Sequence, residues 1–438
     1  MNDSRLSSLC RWAAAAAVAL CPVAAAAALP GAAGSGAMRG AAILIFAATY
    51  LVMAVGKLPG FYLDRAGAAL LGASLMVATG VLPLAAALHA IDVATLALLL
   101  GMMIVVGNLR LSGFFRLVNN WVVTRARHPL LLLFAVIATS GFFSAFLVND
   151  AICLVLTPLV LELVSRLKRS PAPYLLAIAM ASNIGSTATI TGNPQNILIG
   201  SFSRIPYLAF TAHLAPVAAV GLALAFVLIA GAYPSEFWTR ERLRGVPLPS
   251  HAHRPLALKS VVIALALMVG FFAGQPPAKL AIVAGGLSLL TRAVKSRKIY
   301  GEIDWPLLLM FAGLFVVVAG FEKAVLSPHL IAALARGRLD HTADLSLVTA
   351  VLSNLVSNVP AVLMLKPFIV RLADPRHAWL VVAMASTLAG NLTILGSVAN
   401  LIVVQWAQVR GVHVGFWEYL RVGAPLTVLT ILFGAWWL

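Results

Sequence analysis

Apolar stretches of about 20 residues recur along almost the whole chain, and each is long enough to cross the hydrocarbon core of a bilayer as a helix. The chain has 438 residues, of which 61% are hydrophobic and only 10% are charged. Soluble domains carry roughly 25% charged residues. The alternating pattern of a transmembrane β-barrel is absent. The sequence therefore predicts an all-α polytopic membrane protein.

The net charge of +17 does not indicate nucleic-acid binding, because the basic residues lie in short loops between the apolar stretches. Cytoplasmic loops of membrane proteins carry such an excess of Lys and Arg. We place residues 110–127 in the cytoplasm and read residues 129–165 as one hairpin that enters and leaves on that side. The predicted cytoplasmic segments then hold 22 basic residues and the opposite side holds 8. We expect a multi-pass protein of the bacterial inner membrane, in contact with lipid and without a nucleic-acid partner.

Three blocks of sequence recur in the same order in the two halves of the chain. Such recurrence indicates an internal repeat. Because the charge distribution makes the two hairpins enter from opposite sides, the repeats are predicted to be inverted. The matching blocks are IDVATLALLLG (91–101) with IDWPLLLMFAG (303–313), FLVNDAICLVLTPLVLEL (146–163) with LVSNVPAVLMLKPFIVRL (355–372), and MASNIGSTATITGNPQN (180–196) with MASTLAGNLTILGSVAN (384–400).

The chain is accordingly divided into a leader, two transporter repeats and a linker. Residues 1–35 combine basic residues with an alanine-rich apolar stretch, which is the pattern of a signal peptide, although an uncleaved first span also fits. Residues 40–233 form the first repeat and residues 257–438 the second. Residues 234–256 are predicted to be a cytoplasmic linker. The 3 cysteines form no metal-binding or disulfide pattern.

Each repeat is predicted to contain a re-entrant hairpin and a discontinuous transmembrane helix. Residues 146–165 and 353–370 each carry an Asn at a polar tip and then a Pro. Residues 191–196, Thr-Gly-Asn-Pro-Gln-Asn, interrupt an apolar span, since proline removes a backbone donor. Non-helical backbone at that depth is tolerated only where protein buries it or where it lines a cavity. Paired interruptions in inverted halves indicate the binding site of a secondary transporter.

The freed carbonyl groups at such a break can coordinate a cation, and the amino end of the next half-helix can face an anion. The hairpin tips Asn149 and Asn358 are expected to meet the breaks at Gly192 and Gly396, and sodium, if it is the coupling ion, is predicted at these four residues. The candidate substrate- and ion-binding residues are Asn149, Asp150, Asn183, Gly185, Thr189, Gly192, Asn193, Pro194, Asn196, Ser357, Asn358, Thr393, Gly396 and Asn400.

Asp150 is the sharpest candidate for the coupling charge, because carboxylates within a membrane are costly and usually functional. The alternative is a structural Asp at the amino end of the second hairpin helix, which favours negative charge. Asp92 and Asp304 match by repeat and are expected to cap helices. No metalloprotease motif, phosphate-binding loop or nucleophile elbow occurs, so an enzyme is not expected.

The blocks resemble the ion transporter superfamily, and most closely the arsenite-permease and D-type sodium–proton antiporter group with its citrate-transporter-like anion permeases. FLVNDAICLVLTPLV and SNIGSTATITGNPQN carry the resemblance in the first half, and SNVPAVLMLKPF and GNLTILGSVANLIV carry it in the second. The resemblance covers about residues 40–438. It implies an ion-coupled secondary transporter of a small anion, without a cofactor, in which hairpins and broken helices move like an elevator against the remaining helices.

The hairpin tips leave the substrate class open. The related divalent-anion–sodium symporters have Ser-Asn-Thr at each tip, a pattern that Asn149 and residues 357–358 match but Asp150 does not. An Asn-Asp tip is similar to the arsenite and sodium–proton groups. Arsenite efflux and sodium–proton exchange therefore remain alternatives, and an ion channel is a further one. The coupling ion is expected to be Na⁺ or H⁺, the protein is expected to be a homodimer, and an arsenite-type transporter could use a separate ATPase subunit.

Overall fold

The computed structural model describes the chain as helices, turns and loops only. Seven of the helices in the described ranges are long and apolar enough to cross a membrane, which confirms the predicted all-α polytopic fold. Residues 1–34 of the predicted leader and residues 240–241 and 244–251 of the predicted linker lie outside the described part of the chain. The described residues are 35–55, 62–239, 242–243, 252–325 and 339–438.

Apart from α5, whose equivalent positions in the second half lie outside the described residues, and the short α11 between the halves, the two halves contain the same order of helices. In the first half the helices are α1 Ser35–Val55, α2 Arg65–Ala78, α3 Leu84–Ala90, α4 Val93–Leu111, α5 Phe114–Arg125, α6 Pro129–Phe146, α7 Asn149–Arg166, α8 Pro171–Ser186, α9 Pro194–Ser203 and α10 Tyr207–Ala232. The short helix α11 Pro234–Phe237 follows, and then come α12 Arg254–Phe272, α13 Pro277–Leu289, α14 Ser296–Tyr300, α15 Trp305–Val325, α16 Thr342–Val356, α17 Asn358–Ile369, α18 Pro375–Ala389, α19 Val398–Val409 and α20 Phe416–Trp437.

Both predicted hairpins and both predicted helix breaks are present. Helices α6 and α7 form the first hairpin, and α16 and α17 form the second, joined at Ser357. In the first half, α8 ends at Ser186 and α9 begins at Pro194, so the break starts earlier than the predicted residues 191–196. The reason is that the Asn196 side chain donates hydrogen bonds to backbone carbonyls from Ser186 onward, and these carbonyls no longer need a helical partner.

Aspartate caps begin the repeat-related helices α4 and α15. Asp92 accepts a hydrogen bond from the backbone N–H of Thr95 at 3.1 Å, and Asp304 accepts one from that of Leu307 at 3.0 Å. An N-cap carboxylate satisfies one of the backbone donors that the first turn of a helix leaves unpaired. The predicted capping role of both aspartates is confirmed.

The halves interlock through two equivalent helix crossings, α4 against α13 and α15 against α2. At the first crossing, a Cβ atom on Gly101 would overlap the backbone of Ala281. At the second, a Cβ atom on Gly313 would overlap the backbone of Ala69. Gly101 and Gly313 occupy equivalent positions in the repeat, and so do Ala69 and Ala281. These reciprocal contacts relate the halves by a pseudo-twofold axis, as inverted repeats require.

The helices fall into two groups that we call the scaffold and the core. The scaffold contains α1–α4 and α12–α15, which pack mainly on one another. The core contains both hairpins, both broken helices, and α10 and α20, which pack together. In each half the first hairpin helix packs along the first half-helix, α6 on α8 and α16 on α18. The core therefore brings the two hairpin tips and the two breaks to its centre.

We expect Gly101→Leu to destabilise the scaffold by about 1–3 kcal/mol, because the added side chain must enter a crossing that has no space for a Cβ atom. The unfolding temperature of the purified protein in detergent measures the effect. Gly286→Leu on α13 is the matched control, since Gly286 is exposed and has nothing within 4 Å of its Cβ position. Equal unfolding temperatures for the two variants would contradict the close crossing.

Candidate functional site

A cavity of about 490 Å³, here called the first cavity, lies on the boundary between core and scaffold. The core contributes both hairpin tips and the start of the second half-helix in each half. The scaffold contributes residues from α1, from the loop before α2, and from the start of α15. The residues used below that line this cavity are Asp64, Arg65, Asn149, Asp150, Pro194, Gln195, Asp304, Ser357, Asn358, Ser397 and Val398.

Four helices begin at the first cavity: α7 at Asn149, α9 at Pro194, α17 at Asn358 and α19 at Val398. The amino end of a helix carries roughly half a positive elementary charge. Neither α7 nor α17 has a side-chain hydrogen bond that caps it. The cavity therefore has four partial positive charges directed at it from the core, an arrangement that suits a bound anion.

The charged side chains around the first cavity have the opposite balance. Among the described residues that line it, these are the carboxylates Asp64, Asp150 and Asp304 and the guanidinium group of Arg65. Asp150 lies in the core, one residue after the tip Asn149, whereas Asp304 lies in the scaffold. Three carboxylates against one guanidinium favour cations or protons in this space. An anion can enter only when that negative charge is compensated.

Asp304 faces the cavity for a reason that its repeat partner Asp92 makes clear. The Asp92 carboxylate accepts hydrogen bonds from the hydroxyl groups of Thr95, at 2.9 Å, and of Ser201. The positions equivalent to Thr95 and Ser201 are Leu307 and Gln405. Leu307 has no hydroxyl group to give, so the Asp304 carboxylate keeps an oxygen directed at the cavity.

The side chain of Asn183 joins the two halves beneath the cavity. Its Nδ2 atom donates to the Oδ1 atoms of Asn391 and Asn400, both at 3.0 Å. Its Oδ1 atom accepts from Asn149 Nδ2 at 3.1 Å and from Ser397 Oγ at 3.0 Å. All four hydrogen-bonding positions of the amide are used, and the residue is buried. One side chain thus connects the first hairpin tip to the break of the other half.

A second set of hydrogen bonds repeats this connection across the pseudo-twofold axis. Asn193 Nδ2 donates to Thr387 Oγ1 at 3.2 Å, and Gln195 Nε2 donates to the same oxygen at 3.1 Å. Asn193 is the repeat partner of Ser397, and Thr387 is the repeat partner of Asn183. Each break is therefore tied to the first half-helix of the opposite repeat.

The hairpin tips meet the breaks in two different ways. At the first tip, the backbone N–H of Asn149 donates to the carbonyl of Gly192 at 2.9 Å, as expected. At the second tip, Asn354 rather than Asn358 approaches the break: its Oδ1 atom would lie 3.0 Å from a Cβ atom on Gly396. Asn358 instead accepts a hydrogen bond from Ser353, which also donates to the carbonyl of Ser386.

Ser357, between α16 and α17, has the unusual backbone angles φ +77° and ψ 158°. That region is essentially restricted to glycine, and other residues in it cost about 1–3 kcal/mol. Strained backbone of this kind is concentrated at functional sites. In this conformation Ser357 alone connects α16 to α17, so that α17 begins directly at the cavity.

Asn196 and Asn400, predicted as ligands, hold the breaks instead and do not line the first cavity. Asn196 Nδ2 donates to the carbonyl of Thr189 at 2.9 Å, and Asn400 Nδ2 donates to that of Thr393 at 3.0 Å. These carbonyl groups, expected to be open for a cation, already accept amide hydrogen bonds. The carbonyls of Thr189 and Thr393 thus each already have one hydrogen-bond partner.

Several other predicted residues support the site from behind. A Cβ atom on Gly185 would overlap the backbone of Gly141, so the glycine permits α8 to cross α6 closely. The Thr189 hydroxyl donates to the carbonyl of Ala145 at the end of α6. Of the predicted site residues, those that line the cavity directly are Asn149, Asp150, Pro194, Ser357 and Asn358.

Sequence reasoning missed the cavity residues Gln195, Ser397, Asp64 and Arg65. Ser397 could have been found, because it is the repeat partner of the predicted residue Asn193. No sequence motif marks Asp64 or Arg65, which lie at the start of the scaffold helix α2. The Oδ1 atom of Asn149 adds a further feature: it is buried and has no hydrogen-bond partner within the described residues. Beside Asp150, this oxygen could hold a cation.

Comparison with known proteins decides the family. A sequence profile described as citrate transporter matches residues 48–389. The chain belongs to the citrate transporter family. This confirms the resemblance to the ion transporter superfamily and makes the protein a membrane transporter.

Relatives of this citrate transporter family member match most of its length. A silicon efflux transporter of Oryza sativa subsp. japonica is 28% identical over 461 residues, which cover 89% of this chain and 95% of the relative. Inner membrane protein YbiR of Escherichia coli (strain K12) is 30% identical over 349 residues, 79% of this chain and 87% of the relative. The crystal structure of the YdaH transporter of Alcanivorax borkumensis, described as having an unusual topology, matches with a TM-score of 0.58. It covers 80% of this chain and 85% of that chain at 14% identity, so this likeness shows the fold alone.

We expect Asn183→Ala to lower the unfolding temperature of this family member strongly. The change leaves four buried polar partners without their hydrogen bond, and each buried group left unpaired costs about 1–3 kcal/mol. Ser140→Ala is the control, because Ser140 is fully buried but its hydroxyl has no partner in the described structure. A small loss for Asn183→Ala, similar to that of the control, would show that Asn183 does not join the halves.

Proposed function

We propose that this protein is an ion-coupled secondary transporter of a small anion across the bacterial inner membrane. The observation that carries the proposal is the first cavity, in which four helix amino ends face three carboxylates and one arginine. The helix ends suit the anion. The carboxylates suit the cation or proton that compensates them. Both ligands of a coupled transporter thus have a complementary surface in one space of about 490 Å³.

The charge balance suggests an order of binding. While Asp64, Asp150 and Asp304 are ionised, the cavity repels an anion, because Arg65 offsets only one of the three charges. Binding of a proton or Na⁺ at Asp150 and the free Asn149 oxygen removes one negative charge beside the helix amino ends. The anion then binds with higher affinity. This dependence of one ligand on the other is what couples two fluxes thermodynamically.

Movement of the core against the scaffold supplies the alternating access. The cavity lies between the two groups of helices, with Asp150 on the core and Asp304 on the scaffold. A displacement of the core would carry the hairpin tips and the bound ligands away from Asp64, Arg65 and Asp304. The charge distribution and the name of the Escherichia coli relative support the inner membrane as the location.

Efflux of a weak oxyacid is the second candidate. The excess of carboxylates over guanidinium groups in the first cavity favours a solute that carries little negative charge, together with a proton. Arsenite and silicic acid are largely undissociated oxyacids near neutral pH. The printed function of the rice relative, silicon efflux, supports this class. A transport panel of citrate, succinate, sulfate, arsenite and silicic acid in proteoliposomes separates the two candidates. Transport of citrate, succinate or sulfate supports the anion transporter, whereas transport of arsenite or silicic acid supports the efflux of weak oxyacids.

We expect Asp150→Asn to remove the pH or sodium dependence of transport, because the variant keeps the size of the side chain and loses its charge. Uptake and efflux by proteoliposomes under imposed pH and sodium gradients measure this. Glu162→Gln is the matched control on the same helix, since Glu162 is exposed and pairs only with Arg166 at the surface. The control should transport like the unmodified protein.

Unchanged ion dependence in Asp150→Asn would overturn the coupling role and leave the aspartate as a residue at a helix amino end. Loss of folding would be seen as a lower unfolding temperature and would be separated from loss of coupling in that way. Solute binding that persists without ion dependence would support the proposal directly.

A further inference from the structure

A second cavity of about 380 Å³ lies on the far side of the first broken helix, between the core and the scaffold. Its floor is buried and formed by Thr95, Ile197, Tyr207 and Phe271. Its mouth is formed by exposed residues of the turn between α12 and α13, among them Gln275. The second cavity thus has both buried and exposed walls.

The second cavity is the repeat counterpart of part of the first. Residues 94–98, 197–201 and 276–278 of the second cavity correspond to residues 306–310, 401–405 and 64–66, which line the first. Equivalent positions of inverted repeats face opposite sides of the membrane. The first cavity contains part of the predicted cytoplasmic segment 57–65, so the second cavity opens on the opposite side.

The two cavities differ in charge although their walls are equivalent. Among the described residues that line the second cavity, Arg204 is the one charged side chain. Asp92, whose repeat partner Asp304 faces the first cavity, is turned away and bound by the hydroxyl groups of Thr95 and Ser201. Because the hydroxyl groups of Thr95 and Ser201 already donate to Asp92, the second cavity offers the guanidinium group of Arg204 and the hydroxyl group of Tyr207, and no carboxylate is among its described lining residues. This combination suits an oxyanion.

Arg204 occupies a position where glycine is expected. It ends α9 with φ +53° and ψ 25°, in the left-handed region. Helices commonly end with glycine in this conformation, and other L-residues cost roughly 1–2 kcal/mol there. The equivalent position of the second half is Gln408, so the repeat does not account for the arginine. Arg204 thus stands at the edge of the cavity in a conformation that glycine would adopt without this cost.

The second cavity is connected to the break of the first half. The hydroxyl group of Tyr207, in its floor, lies 2.8 Å from Thr191 Oγ1. Thr191 Oγ1 lies 3.4 Å from Thr189 Oγ1, and the Thr189 hydroxyl donates to the end of α6. The first broken helix lines the cavity directly, and this row of hydroxyl groups connects the cavity floor to the first hairpin. An anion in the cavity would contact the part of the core that has to move.

We propose that the second cavity binds a small soluble oxyanion at Arg204, on the side of the membrane opposite the mouth of the first cavity. Its volume admits an inorganic or carboxylate oxyanion with its first water molecules. The guanidinium group supplies the charge and a planar set of donors, and the hydroxyl group of Tyr207 lies in the cavity floor. The proposal goes beyond the proposed function, because binding here requires neither the transported solute nor the coupling ion to be known.

Sulfate is the probe, and protection of an introduced thiol is the measurement. Gln275→Cys is made in the full chain after its own three cysteines are replaced by alanine, and the protein is placed in phosphatidylcholine nanodiscs. A membrane-impermeant thiol reagent should react with this cysteine, and sulfate should slow the reaction in a saturable manner. Arg204→Gln should raise the sulfate concentration for half-protection by about tenfold or more, as expected for loss of a charge-assisted hydrogen bond.

Two further variants separate binding from structure. Lys279→Gln is the matched control: Lys279 is exposed close to the mouth but does not line the cavity, so protection should be unchanged. Arg204→Gly should keep or raise the unfolding temperature, since glycine accepts the left-handed backbone, yet it should lose protection. Asp150→Asn should leave protection intact, because Asp150 belongs to the first cavity.

Three results would overturn the proposal. Equal protection by sulfate in the Gln275→Cys protein with Arg204→Gln and in the Gln275→Cys protein that keeps Arg204 would show that Arg204 binds no anion. Protection that Asp150→Asn abolishes would place the sulfate in the first cavity. Protection by phosphatidylglycerol nanodiscs without any effect of sulfate would show that Arg204 contacts a lipid headgroup and that the cavity holds no soluble anion.

Discussion

Satisfying the backbone polar groups of the two broken helices is the constraint on which the rest of this structure depends. At membrane depth no bulk water is present to bond a freed carbonyl or N–H group. The same residue type meets this constraint in both halves: Asn196 and Asn400, each in the second half-helix, donate to carbonyls at the end of the first half-helix and within the break. Only because these amides hold the breaks can the following half-helices begin at the first cavity with their amino ends directed into it.

Much of this arrangement could be predicted, because it is encoded in short blocks that occur twice. The repeated Asn and Pro residues of the hairpins predicted both tips, and the polar interruption around Gly192 predicted the broken helix. The exact start of the break at Ser186 could not be predicted, since it depends on where the Asn196 side chain finds its acceptors. The hairpins and the first break were thus predicted from sequence, while the division of their polar residues into cavity-lining and supporting ones required the three-dimensional contacts.

The scaffold contribution to the site was beyond sequence reasoning for a different reason. Asp64 caps α2 and Arg65 is its first residue, and no sequence motif marks either one. Both line the cavity at the start of α2, which crosses α15 closely. Asp304 was predicted to cap a helix, and this is confirmed. Its exposure to the cavity depends on position 307, where a leucine stands in place of the threonine at position 95. The leucine provides no hydroxyl group to bind the second carboxylate oxygen. Within a repeat, residue differences between equivalent positions therefore matter as much as matches, because they decide which side chains face the cavity.

The contacts within the core and within the scaffold differ in kind from those at the boundary between them. Inside the core, buried amides and hydroxyls form hydrogen bonds of fixed geometry, and inside the scaffold the glycine crossings leave no free space. Across the boundary, the ring centroids of Phe202 and Phe315 lie 6.5 Å apart, and Tyr207 stacks on Phe271 at 5.2 Å. Hydrogen bonds also cross it, from the Ser201 hydroxyl to Asp92 and from the Tyr50 hydroxyl to the carbonyl of Pro360. Aromatic and apolar contacts tolerate sliding, because they lack the strict geometry of a hydrogen bond. In the proposed transport cycle, these hydrogen bonds must therefore break before the core can slide along the scaffold.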